Sequence, residues 1–187
     1  MAGFDAVVQQ RILIVGDSKS ISSNSWPGTL VTSLNTAASP SPQFAQDNVA
    51  AAGQGAGYFA PNISTILAGQ PDNHTIVLYS VGVNDFGTAT MSAWIADMQT
   101  TLDAIHTKWP TALVYVSKPW KQGFDATADT FAGWVDTVVA SRSFARAADD
   151  ERSWLKPNVA TYTIDGVHYS AAGETAKAHQ MKTVLGY

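Results

Sequence analysis

The chain has 187 residues, of which 45% are hydrophobic and 14% charged, with a formal net charge of -4 and no cysteine. These values are typical of one globular domain with its own core. The lack of cysteine excludes disulfides, thiolate nucleophiles and thiolate metal sites. Basic residues are scattered rather than gathered into a stripe, so nucleic acid is not an expected partner.

Neither a composition shift nor a linker divides the chain, so we expect an N-terminal extension over residues 1–10 and a single domain over residues 11–187. The first ten residues lack the basic and apolar regions of a signal peptide as they stand. We therefore expect a cytoplasmic protein, or a mature secreted or virion-associated domain. No apolar run approaches the length of a membrane span, and the sequence does not indicate the oligomeric state.

The first predicted strand ends at a serine. Residues 12–15 are four consecutive apolar residues, three of them β-branched, and Gly16-Asp17-Ser18 follows at once. This pattern predicts a buried strand that stops at a sharp turn with a hydroxyl at its tip. A serine hydroxyl is a weak nucleophile at neutral pH. Catalysis by Ser18 would need a histidine to take its proton, a carboxylate to orient that histidine, and donors for the oxyanion.

Further strands and helices alternate along the chain. Apolar and β-branched runs predict strands at residues 74–81, 111–117 and 159–164. Residues 44–51, with a weaker pattern, are expected to form another strand. Apolar residues at helical spacing predict helices at residues 91–109 and 131–139. Residues 26–34 are expected to form a turn or a short helix, residues 61–67 a short helix with Pro61 near its start, and residues 171–185 the closing helix. Residues 141–157 have no clear pattern, and the charged run at residues 149–152 indicates a solvated face or loop.

Strands that alternate with helices predict an α/β fold. We expect a three-layer α/β/α sandwich with a central five-stranded parallel sheet and a flavodoxin-like topology. In such sheets ligands bind outside the carboxyl ends of the strands. Ser18, Gly53, Asn84 and the pair Asp165 and His168 all follow predicted strands, so they should meet at one edge of the sheet.

Four short motifs in this order resemble the SGNH (GDSL-type) hydrolase superfamily. Gly16-Asp17-Ser18 is similar to its first block, and residues 48–53 to its glycine block. Gly82-Val83-Asn84-Asp85 matches its third block, and Asp165-Gly166-Val167-His168 its last. Each block alone is weak, but the four together span nearly the whole chain. The chain departs from the family at Lys19, where a less polar residue is usual.

The resemblance implies a role for each matched residue. Ser18 would be the nucleophile, His168 the general base and Asp165 the carboxylate that orients the imidazole. The oxyanion would be bound by the backbone N–H groups of Ser18 and Gly53 and by the side-chain amide of Asn84. Near the glycine block, Gly55 and Gly57 remain alternatives to Gly53. No cofactor is expected, and no pair of histidines with nearby carboxylates has the spacing of a metal site.

Several nearby residues have more than one interpretation. Three aromatic residues lie beside predicted strand ends, namely Phe86, Trp120 and Tyr169. They would either line a substrate pocket or have a purely structural role. Lys19 would point to solvent or sit at the mouth of the site. We expect Asp85 to cap the helix that follows it. Asp17 should hold the serine turn together, and His74 has no evident partner.

The residues and the resemblance together predict a serine ester hydrolase that works through an acyl-enzyme. The chain leaves little room for a lid, which favours short acyl groups, especially acetyl, on a carbohydrate or other small ester. One alternative is a lipase, lysophospholipase or thioesterase acting on longer chains. Others are a noncatalytic glycan-binding or structural module of a cell-surface or virion assembly, and a flavin binder whose first turn cradles phosphate.

Overall fold

Five parallel strands form the centre of the computed structural model, which describes residues 9–21, 25–38 and 43–187. The strands lie in the order β2-β1-β3-β4-β5, and every pair of neighbours is parallel. They are β1 (Gln9–Gly16), β2 (Gln43–Asn48), β3 (His74–Ser80), β4 (Leu113–Lys118) and β5 (Ala145–Asp150).

Helices cover both faces of this sheet. On one face α1 packs against α7, and on the other α2 packs against α3, which also contacts α4. The predicted three-layer α/β/α sandwich is thereby confirmed. The helices are α1 (Trp26–Ala38), α2 (Ala56–Ala68), α3 (Met91–Lys108), α4 (Asp125–Ala140), α5 (Glu151–Leu155), α6 (Val159–Tyr162) and α7 (Ala171–Val184). None of the helices in the described ranges has the length and apolar character needed to cross a bilayer.

The apolar runs of the sequence form the inner strands. Residues 12–15 of β1 are fully buried, as are residues 77–79 of β3. An inner parallel strand has helices on both sides, so both of its faces need apolar side chains. This is why the runs are continuous rather than alternating.

The predicted fifth strand at residues 159–164 is wrong. Residues 159–162 form the short helix α6, in which both the backbone N–H and the hydroxyl of Thr163 donate to the Val159 carbonyl oxygen. The strand that completes the sheet is β5, within the segment that had no clear pattern. An edge strand has one side open to solvent and can carry charged residues such as Arg146, so β5 lacks the apolar signature of the inner strands.

Two predicted boundaries also change. β1 begins at Gln9, so Gln9 and Gln10 of the expected extension pair with β2. Residues 1–8 lie outside the described residues. So do residues 39–42, which belong to the stretch at residues 38–43 whose two prolines and two serines predict a loop. α2 begins at Ala56, five residues before Pro61, which was expected near its start.

Candidate active site

A tight turn at the end of β1 presents Ser18. Asp17 caps the 3-10 turn Ser18–Ser20 by accepting a hydrogen bond from the Lys19 N–H at 3.0 Å. A Cβ atom on Gly16 would lie 2.5 Å from the Ser20 hydroxyl oxygen, so only glycine leaves room for the turn. The expected role of Asp17 agrees with this contact.

The structure brings Ser18, His168 and Asp165 into one hydrogen-bonded chain. Ser18 Oγ lies 3.0 Å from His168 Nε2, although the two residues are 150 positions apart in sequence. His168 Nδ1 lies 2.7 Å from Asp165 Oδ2. These distances are within reach for proton transfer from the hydroxyl to the imidazole and for orientation of the ring by the carboxylate.

Asp165 is held as an anion by its own loop. Hydrogen bonds from the His168 ring and from the backbone N–H groups of His168 and Val167 lower the pKa of Asp165 to about 2. The loop lies between α6 and α7 rather than directly after a strand. It is closed by backbone hydrogen bonds from Ile164 to His168 and from Ser170 to Tyr162, both 2.9 Å long.

Asn84 lies beside the glycine block, as expected of residues that follow β3 and β2 at the same edge of the parallel sheet. Its side-chain amide donates to the Gln54 carbonyl oxygen at 3.0 Å. Gly53 is exposed, and its φ of 69° is a conformation that residues with a Cβ rarely adopt.

The two competing glycines are placed differently. Gly55 precedes α2, where a Cβ would collide with the Asp85 carboxylate, and Gly57 lies inside α2. Asp85 accepts hydrogen bonds from the Ala56 N–H at 3.0 Å and the Trp94 ring N–H at 3.2 Å. Asp85 therefore caps α2, which precedes it, while Thr90 caps the following helix, so the expected capping role is corrected.

The four candidates for lining a substrate pocket lie in the core. Lys19, Phe86, Trp120 and Tyr169 are each 5% exposed or less. The Lys19 ammonium neither points to solvent nor sits at a mouth, because it forms a buried ion pair with Glu151. The Tyr169 hydroxyl also donates to Glu151, and the Trp120 ring N–H donates to Asp125.

Sequence reasoning missed the acidic residues that hold these groups inside. Asp149 and Glu151 are 5% and 1% exposed, whereas Asp150 between them is exposed. The run is therefore not one solvated face. Alternation at the end of a strand sends every second side chain inward, but this signal is readable only once β5 has been recognised.

His74 also has a partner that was not expected. Its Nε2 lies 2.9 Å from Asp47 Oδ2, and its Nδ1 lies 3.0 Å from the Pro71 carbonyl oxygen. Arg11 pairs with the same carboxylate at 3.0 Å. Both ring nitrogens of this buried histidine are engaged, which indicates a structural role.

A cavity of about 390 Å³ adjoins Asp165. Ile164, directly before Asp165, is 78% exposed and contributes an apolar side chain to its wall. The cavity is lined by Gln122, Val159, Ala160, Thr163, Ile164, Asp165 and Gly166.

No protein-family model matches the sequence, and neither does any curated protein. Solved structures do share its fold, which is that of the SGNH (GDSL-type) hydrolases, so the resemblance drawn from the four motifs is confirmed at the level of the fold. An acetyl xylan esterase, AlAXEase, has 16% identity and a TM-score of 0.77 over 92% of this chain and 98% of its own.

Two further structures show the same similarity. TesA has 16% identity and a TM-score of 0.79 over 95% of this chain and 98% of its own. A carbohydrate esterase of family 3 from Talaromyces cellulolyticus has 21% identity and a TM-score of 0.73 over 94% of this chain and 96% of its own.

Proposed function

We propose that this protein is a serine ester hydrolase that works through an acyl-enzyme intermediate. The observation that carries the proposal is the hydrogen-bonded chain from Ser18 through His168 to Asp165. Nucleophile, base and orienting carboxylate stand in the order and at the distances that this chemistry requires.

The reaction would proceed in two halves. Ser18 Oγ attacks the ester carbonyl carbon while His168 Nε2 takes its proton, and the imidazolium returns that proton to the leaving alcohol as the acyl-enzyme forms. Water then attacks the acyl-enzyme with the same base, and the carboxylic acid leaves with Ser18 restored. Asp165 stays ionised throughout and stabilises the imidazolium, which agrees with its low pKa.

The negative oxygen that develops in each half would be bound by three N–H donors, from the backbones of Ser18 and Gly53 and from the Asn84 side chain. Gly53 is favoured over its neighbours because it lies exposed in the loop, whereas Gly55 is packed on Asp85 and Gly57 is helical. An amide nitrogen carries two hydrogens. The bond from Asn84 to Gln54 uses one and leaves the other for the oxyanion.

The proposed substrates are short acyl esters, above all acetyl groups on a carbohydrate. The side chains of His168 and Asp165 are 46% and 52% exposed, so a bulky polar alcohol can approach the site. Two of the solved structures with this fold are described as an acetyl xylan esterase and a carbohydrate esterase. The exposed Ile164 and its cavity favour a second candidate, an ester with a longer acyl chain.

The test is hydrolysis of p-nitrophenyl esters from acetate to palmitate, together with acetate release from acetylated polysaccharides. We expect the parent to cleave short esters and Ser18→Ala to fall to background. Ser92→Ala, at an exposed serine in α3, is the matched control and should keep full activity. The proposal fails if the parent cleaves no substrate of either kind, and the assignment of Ser18 fails if Ser18→Ala stays active.

A further inference from the structure

A buried group of charges adjoins the Ser18 and His168 pair. We call Lys19, Asp149, Glu151 and Lys177 the ionic cluster, and each is 5% exposed or less. Two ammonium groups face two carboxylates. Lys177 Nζ lies 2.8 Å from Asp149 and 3.2 Å from Glu151, and Lys19 pairs with Glu151. Opposite charges of this kind compensate for the loss of water around each group.

Glu151 accepts hydrogen bonds from residues that Asp149, the other carboxylate of the cluster, does not contact. Its Oε2 accepts hydrogen bonds from Lys19 Nζ and from the Trp120 N–H, the latter at 3.0 Å. Its Oε1 accepts from the Tyr169 hydroxyl. Lys19 directly follows Ser18, and Tyr169 directly follows His168, so one carboxylate joins the residues next to the proposed nucleophile and base.

A second contact joins the same two segments. The Lys19 ammonium lies 5.2 Å from the centre of the Tyr169 ring, a cation–π distance. Burial alone would raise the pKa of Glu151, but the ammonium groups of Lys19 and Lys177 lower it to about 2. The carboxylate is therefore charged at any pH at which an esterase would be assayed.

We propose that Glu151 is a positioning residue, whose carboxylate holds the turn that carries Ser18 and the loop that carries His168 at hydrogen-bonding distance from each other. The proposal rests on the proposed function. Ser18 and His168 belong to distant segments, one at the end of β1 and one between α6 and α7. We call the hydrogen bonds that join Lys19 and Tyr169 through Glu151 the tie. The tie sets the separation of Ser18 Oγ and His168 Nε2 without touching substrate.

The competing explanation is that the ionic cluster only stabilises the fold. Asp149 offers a matched comparison, because it is equally buried and shares Lys177 with Glu151. Its other hydrogen-bond partners are Ser117 and the Trp154 ring, neither of which is next to Ser18 or His168 in sequence. The centre of the Trp154 ring lies 5.9 Å from the centre of the Tyr169 ring, but Asp149 itself makes no hydrogen bond to Tyr169 or Lys19. Glu151→Gln and Asp149→Asn each remove one buried negative charge, but only the former weakens the tie.

The first measurement is steady-state kinetics on the best ester, at a temperature where circular dichroism shows every variant folded. We expect Glu151→Gln to lower kcat by about 10- to 100-fold with KM within about threefold, since small misplacement of reacting groups costs this much. Asp149→Asn should change kcat by less than about threefold, because it leaves the tie in place. Equal loss in both variants would overturn the proposal.

The second measurement does not depend on activity. The ¹⁵N shift of His168 Nε2, assigned with His168→Gln, reports whether the ring is hydrogen-bonded to the Ser18 hydroxyl. We expect the Glu151→Gln shift to move to that of Ser18→Ala, while Asp149→Asn keeps the parent shift. A parent shift in Glu151→Gln would overturn the proposal. If the parent cleaves no ester, the proposed function fails, and this shift still decides the role of Glu151.

Tyr169→Phe keeps the test decisive if Glu151→Gln does not fold. It removes only the neutral hydroxyl that ties Glu151 to the His168 segment. We expect a fall in kcat of about 3- to 10-fold and a partial move of the Nε2 shift, because one arm of the tie is lost. An unchanged kcat together with an unchanged shift would overturn the proposal.

Discussion

Asn84 shows how a single amide can serve both local structure and the proposed chemistry. Its side-chain nitrogen donates to the Gln54 carbonyl oxygen, which fixes the direction of the amide. The second hydrogen on the same nitrogen then has a defined direction before any substrate arrives. Donors that are oriented in advance need no reorganisation when charge develops on the substrate oxygen.

Replacement of Asn84 should therefore affect the chemical step more than binding. We expect Asn84→Ala to lower kcat by about 10²- to 10³-fold with a much smaller change in KM, as for other oxyanion donors. The measurement is steady-state kinetics on the ester chosen above. Asn62→Ala is the control, because Asn62 is an exposed asparagine on α2 whose amide donates to the Tyr58 carbonyl oxygen. A loss of similar size in both variants would remove Asn84 from the proposed oxyanion hole.

The helix pair α6 and α7 determines where the loop with Asp165 and His168 sits. Gly173 lies in the first turn of α7, where a Cβ would be 2.0 Å from the Tyr162 carbonyl oxygen at the end of α6. Backbone meets backbone at this point, so no side chain can move aside to make room. The close approach keeps the ends of the loop together.

Gly173→Ala should force α6 and α7 apart. We expect it to lower the free energy of unfolding by about 1–3 kcal/mol, the usual cost of overpacking, and to reduce esterase activity. The measurement is a thermal melt together with the ester assay. Gly133→Ala in α4 is the control, since its Cβ would meet nothing within 4 Å. It should instead stabilise the protein by about 0.5–1 kcal/mol, and a loss of stability there would contradict this account.

Over the whole molecule, carboxyl groups with shifted pKa values lower the free energy of unfolding at both low and high pH. The ion pairs of Glu151, whose pKa is about 2, stabilise the fold above about pH 4.5, and this stability is lost as the pH falls towards 2. Glu174 acts in the opposite sense. Its burial raises the pKa from 4.5 to about 7, so the stability of its protonated form is complete below pH 4.5 and is lost as the pH rises through 7.

Glu174→Gln should separate these two effects. Glu174 accepts a hydrogen bond from the Trp26 N–H at the start of α1, and a glutamine oxygen can accept the same bond without a charge. Because the carboxyl group is only partly buried, we expect the variant to be about 1 kcal/mol more stable at pH 8, a rise in Tm of about 2–4 °C. At pH 4.5 the melting temperatures of parent and variant should coincide. Equal melting temperatures of parent and variant at pH 8 would contradict the role of Glu174.

The sequence by itself determined most of the architecture. β1, β3 and β4 have continuous apolar runs because both of their faces are buried. α3 and α4 have apolar residues at helical spacing because one of their faces is buried. Local sequence records that burial directly. The same holds for the candidate site, because turns after parallel strands carry recognisable residues such as Gly16, Asp17 and Ser18. The SGNH resemblance was readable from three such turns together with the loop between α6 and α7.

Only the tertiary structure decided which segment completes the sheet and where the charges near the site lie. Residues 159–164 have strand-forming side chains, but their place beside α7 makes them a helix and a loop. β5 is charged, yet it pairs with β4 at the edge. Lys19, Asp149, Glu151 and Lys177 look like surface residues one at a time. They are buried because their two ammonium groups and two carboxylates neutralise one another. The ammonium groups are far in sequence from the carboxylates, and a local pattern cannot record partners that far apart.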